Sequence, residues 1–169
     1  MKTEGEHRRS AAIRTSLIVG YGNSLRGDDA IGEIVAQAFR GEAAIDGADV
    51  VNCLQLTPEL AEYLAVVDLV VFIDAAAGIQ PGRIAITPLR GAPALSMGLV
   101  HHLNPEGLLF LSSSLYGRSP DAFLVAVGAG SLELGEGLSE PVAAALPAVI
   151  AAVRQLVLRR PAPDSSVAH

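Results

Sequence analysis

A single cysteine, Cys53, is all the chain has, so no internal disulfide can brace the fold. Its setting in the apolar run ADVVNCL points to a buried structural thiol. Apolar runs reaching the roughly 20 residues that a membrane span needs are also missing, because Gly, Asp or Arg interrupts them earlier. No apolar segment follows the basic residues of MKTEGEHRRSAAIR, which excludes the pattern of a secretory signal and leads us to expect a soluble, cytoplasmic protein without a membrane partner. Positive charge is not in excess either. The formal net charge of −6 leaves no footprint for nucleic acid, and the clustered Arg8/Arg9 and Arg159/Arg160 lie near the two ends.

Two phosphate-binding patterns are absent as well. No Gly-Lys-Ser/Thr occurs, so there is no P-loop. After Gly20 and Gly22 the third position of a dinucleotide fingerprint is Leu25 rather than glycine, and the second strand carries Asn52 where an acidic residue would meet a ribose. The acidic pair Asp28-Asp29 would repel a phosphate at the start of a helix.

What remains is a regular alternation. With 169 residues the chain can bury one core without a staple. Residues 16–21, 48–53, 68–74, 83–87 and 122–127 read as strands, several of them continuously apolar, as in a sheet covered on both faces. Helices are expected between them. DDAIGEIVAQAFR places Ile31, Ile34, Val35, Ala38 and Phe39 on one stripe, with Gly41 as a stop. Thr57-Pro58 and Asn104-Pro105 look like a cap followed by proline at the first helical position, and a last helix begins near Ser139. Residues 1–14 and 161–169 read as tails around a single domain at 15–160.

The order βαβαββαβα predicts a three-layer α/β/α sandwich around a mostly parallel, mixed sheet of about five strands. Strand 83–87 should be the antiparallel member, since too few residues precede it for a helical crossover. Ligands of such sheets sit beyond the carboxyl ends of the parallel strands. Asp29 follows the first strand, Asp74 ends the third, and His101-His102 lie in the loop before the third helix. Taken singly, Asp28 reads as a helix N-cap, Asp29 as a first-turn acid and Asp74 as a turn residue. Together, two carboxylates and an imidazole at one crevice suit a divalent metal such as nickel or zinc.

Those residues carry a resemblance. GYGNSLRGDDAIG is similar to the G-N-x-L-x-x-D-[DE]-x-[GVA] signature of the [NiFe]-hydrogenase maturation endopeptidases, and the likeness continues in VVFIDAAAG, HHLNPEGLL, LYG and LELGEGLSEPVAAAL. The resemblance implies an α/β/α peptidase, of aspartic or metal-dependent type, that trims a C-terminal extension from a hydrogenase large-subunit precursor after nickel insertion. Carried over by position, it implies Asp29, Asp74 and His101 as metal contacts, with Asp29 and Asp74 also serving the hydrolysis. The nickel would arrive with the precursor, although zinc or another divalent ion also fits such donors. This chain has Asp29 where some members have Glu, and more residues separate Ser96 from the histidine, which leaves His102 as the alternative to His101. A non-catalytic metal-sensing chaperone and a small nucleotide-binding module are the rival classes.

Overall fold

The structure, a computed structural model, describes residues 15–93, 103–135 and 137–159. The expected tails therefore lie outside the described residues. Five strands form one sheet: β1 (Ser16–Tyr21), β2 (Ala48–Cys53), β3 (Leu69–Ala76), β4 (Ile84–Leu89) and β5 (Asp121–Gly128), in the spatial order β2-β1-β3-β5-β4. β1 pairs in parallel with β2 and β3, β3 pairs in parallel with β5, and β4 runs antiparallel to β5 at the edge, as its short connection predicts.

Helices cover both faces, and strand alternation explains the continuous apolar runs. In β3, Leu69, Val71 and Ile73 point into a core built with α1 (Ile31–Arg40) and α4 (Glu140–Leu158). Val70 and Phe72 point into the other core, built with α2 (Leu60–Val66) and α3 (Pro105–Tyr116). Each fully buried large apolar side chain of this kind contributes about 1.5–3 kcal/mol. The α1 stripe is centred on Ile31, Val35, Ala36 and Phe39, with Ile34 and Ala38 at its margins.

Several local expectations shift. Asn104 caps α3, its Oδ1 accepting from Gly107 N–H at 2.8 Å, with Pro105 in the first turn and left-handed Gly117 (φ 69°) closing the helix. Thr57, by contrast, caps nothing: α2 opens only at Leu60, after a tight turn in which Leu60 N–H donates to the Thr57 carbonyl. Asp74 sits two residues inside β3 rather than at its end. Cys53 is half-buried at the last position of β2, so the expected full burial does not occur. α4 is continuous across Pro147 and is the one described helix that is long and apolar enough to cross a membrane. It nevertheless carries Glu140 and Arg154 and lays Val142, Val149, Val153 and Leu156 into the core, as a covering helix of a sheet does.

Glycine sets the approach of α1 to the sheet. A Cβ on Gly20 would stand 1.9 Å from the Gly32 carbonyl oxygen, and one on Gly32 would stand 2.6 Å from both Tyr21 N and Tyr21 O. The start of α1 can therefore lie directly on β1 only because both positions lack a side chain.

Candidate active site

From β1 the chain turns toward β2, and from β3 it turns the other way toward β4 and β5. A crevice therefore opens between the carboxyl ends of β1 and β3, the switch point of the sheet. Period-two alternation puts Asp74 on the same face as Val70 and Phe72. Tyr21 packs on that face too, with Leu17 and Val19. The β1–β3 register pairs Gly20 with Ile73, so one step on brings Tyr21 beside Asp74, its hydroxyl near enough to act on the Asp74 carboxylate.

Asp29 reaches the crevice from the loop after β1. A single 3-10 turn at Gly27–Ala30 leads into α1, and Asn23 N–H donates to Asp29 Oδ2 at 2.7 Å. The Asn23 side chain in turn accepts from Leu25 N–H at 3.0 Å, an Asx turn that shapes the loop. Asp29 lies near enough for its charge to act on Asp74. Burial is the main cause that raises Asp74 from 3.8 to about 6; the Tyr21 hydrogen bond opposes it, the Asp29 charge adds to it, and the Ala75 N–H opposes it. For Tyr21, burial and then the Asp74 charge push the hydroxyl well above the ordinary tyrosine range, with Glu106 and Cys53 adding smaller contributions.

Asp28 does a different job from its neighbour. It is not the cap of its own turn; its fully buried carboxylate reaches more than a hundred residues along the chain to the β5–α4 connection. Oδ2 accepts from Gly130 N–H (2.7 Å), Ser131 N–H (2.9 Å) and the Ser139 hydroxyl (2.8 Å), and Oδ1 accepts from Ser139 N–H (2.6 Å). Burial works to raise its pKa, but the N–H groups of Ser131, Ser139 and Gly130 and the Ser139 hydroxyl outweigh it and hold the carboxyl below its ordinary range. Backbone bonds from Gly27 N–H to the Gly135 carbonyl and from Gly135 N–H to the Leu25 carbonyl zip the same two loops together. Asp28 thus anchors the wall on which Asp29 stands.

The structure therefore places Asp29 beyond β1 and Asp74 near the end of β3, close enough for the Asp29 charge to act on Asp74. His101 and His102 lie outside the described residues, as does Ser96. Among the described residues no cluster of three His, Cys, Asp or Glu side chains is gathered for a metal ion. The donor chemistry of the aspartate pair suits a divalent cation that brings other ligands of its own. Tyr21 is not legible from the sequence as part of the site: the period-two pattern of β1 puts it on the Leu17/Val19 face, but its neighbour Asp74 belongs to another strand. A groove of about 700 Å³ lined by Pro88, Arg90, Ser119 and Phe123 lies by the start of β5, away from the carboxylates.

Fold and site define a doubly wound α/β protein with paired carboxylates at its switch point. No protein-family model matches the chain, and no curated protein sequence does. Solved structures do. The [NiFe]-hydrogenase maturation protease HycI of Thermococcus kodakarensis KOD1 superposes with a TM-score of 0.70 at 24% identity, covering 88% of this chain and 96% of that one. The hydrogenase maturating endopeptidase HybD of E. coli gives 0.67 at 28% identity over 82% and 89% of the two chains. The hydrogenase 2 maturation peptidase of Thaumarchaeota archaeon SCGC_AB-539-E09 gives 0.62 at 27% identity over 83% and 96%. Across most of its length the chain is thus a structural homologue of the [NiFe]-hydrogenase maturation proteases.

Proposed function

We propose that this protein is the endopeptidase that removes the C-terminal extension of a [NiFe]-hydrogenase large-subunit precursor after nickel insertion, and that it acts in the cytoplasm. What supports the proposal is the position of Asp29 beyond β1 and of Asp74 near the end of β3, flanking the switch point of a fold shared with hydrogenase maturation proteases. The nickel belongs to the substrate. Asp29, Asp74 and His101 would take open positions on an ion already fixed by the precursor's own cysteines, which holds the scissile segment against the crevice. Positioning of this kind can remove several kcal/mol of barrier. A carboxylate of the pair then accepts a proton from a water molecule as that water's oxygen bonds to the scissile carbonyl carbon. When the C–N bond breaks, the same carboxyl returns the proton to the departing nitrogen, and the extension leaves as an amine-terminated peptide.

Three donors on separate elements order poorly around a free ion, because fixing them consumes binding energy. The purified enzyme should therefore hold little metal of its own, cleave the nickel-loaded precursor, and leave the nickel-free precursor intact. Mass spectrometry of the precursor reads the loss of the peptide. Equal processing of the metal-free precursor by chelator-treated enzyme would overturn nickel-gated recognition in favour of an ordinary carboxylate peptidase. No cleavage of either form would point to a metal-sensing chaperone.

A further inference from the structure

Tyr21 belongs to the sequence signature's first strand, yet the hydrolysis outlined above gives it no part. Its surroundings are specific. On the last turn of the pleat before the crevice, the β1–β2 register pairs it with Cys53, and the β1–β3 register brings Asp74 to its other side. Its ring packs against the α2/α3 core, so the hydroxyl is carried on a rigid support rather than on a loop. From its own strand Asp74 receives the Ala75 N–H. A carboxylate held by one backbone donor can still rotate about its side-chain bonds, and a second donor from a neighbouring strand removes that freedom.

We infer that Tyr21 is a positioning residue that orients the Asp74 carboxylate toward Asp29 through its hydroxyl. The inference rests on the peptidase reading for its consequence in catalysis, but the contact itself can be tested without it. Polar groups that orient a functional carboxylate typically change activity by about 10- to 100-fold when removed. Since the ring carries the packing and the hydroxyl carries the orientation, Tyr21→Phe separates the two.

The experiment has two arms on the full chain. In the first, Tyr21→Phe and wild type are compared on the nickel-loaded precursor; kcat should fall about tenfold while KM stays within about twofold, because substrate docking does not use the phenol. In the second, melting temperatures are measured for wild type, Tyr21→Phe, Asp74→Asn and the double variant. If hydroxyl and carboxylate touch, the two single shifts will not add in the double variant. An active wild type with Tyr21→Phe equal to it overturns the positioning role, and strictly additive melting shifts overturn the contact. A wild type that leaves the precursor uncut sinks the peptidase reading instead, and the melting cycle then decides the contact alone. If Tyr21→Phe fails to fold, the phenol is a structural requirement and the proposal is wrong.

Discussion

Replacing Asp74 by Asn should raise stability and lower activity in the same molecule. The argument starts from burial, which lifts the Asp74 carboxyl from 3.8 to about 6. A carboxyl whose pKa is raised on folding stabilises the native state while it is protonated, so its contribution is fully present below 3.8 and is lost as pH rises through 6. At about 1.4 kcal/mol per pH unit, the charged form at neutral pH carries a cost of about 3 kcal/mol. Asp74 is only partly buried, and Asn accepts weaker hydrogen bonds from Tyr21 and Ala75 than a carboxylate does, which together trim the expected gain to about 2 kcal/mol. In a chain of this size that corresponds to roughly 4–8 °C in melting temperature at pH 7. Thermal melts followed by circular dichroism from pH 4 to 7.5 should show the variant's advantage growing through pH 5–6 and vanishing near pH 4. Precursor cleavage, by contrast, should drop at least about 100-fold because the charge is gone while the volume stays. An advantage that does not change with pH would refute the buried-carboxylate account, and wild-type cleavage would refute the site.

Asp28→Ala should behave oppositely, since it strands the N–H groups of Gly130, Ser131 and Ser139 around an empty position. Urea unfolding should register a loss of about 3–5 kcal/mol, and a loss under about 1 kcal/mol would show that the two loops are held by their backbone bonds alone. For the neighbouring histidines, His101→Ala should abolish processing and His102→Ala should only weaken it; the reverse order in a cleavage assay would move the ligand by one residue.

Order and type of the elements were legible in the chain because they depend on spacing that is local. The apolar run of β3 records a strand with both faces covered, and the short link to β4 leaves no length for a crossover, so the antiparallel edge follows from counting residues. Asn104-Pro105 names a helix start because cap and partner lie three residues apart. Thr57-Pro58 carries the same letters, but the packing of Leu60, Ala61 and Leu64 into the α2/α3 core goes with a later start, and tertiary contact overrides local preference.

For the acidic pair the division is sharper. From the sequence, Asp28 and Asp29 are two adjacent acids at the start of a helix, interchangeable in everything that local chemistry can express. The tertiary structure separates them. Successive residues of a tight turn point in different directions, so one carboxylate is buried against N–H groups supplied from beyond β5 while the other accepts from Asn23 N–H beside the crevice, near enough for its charge to act on Asp74. The same holds for Tyr21, which stands beside Asp74 only because sheet register sets β1 beside β3. Spacing along the chain determined the layers and the end of the sheet where chemistry could occur; which carboxylate anchors the loops and which is left beside the crevice was decided by contacts between residues far apart in sequence, because those contacts exist only once the sheet has formed.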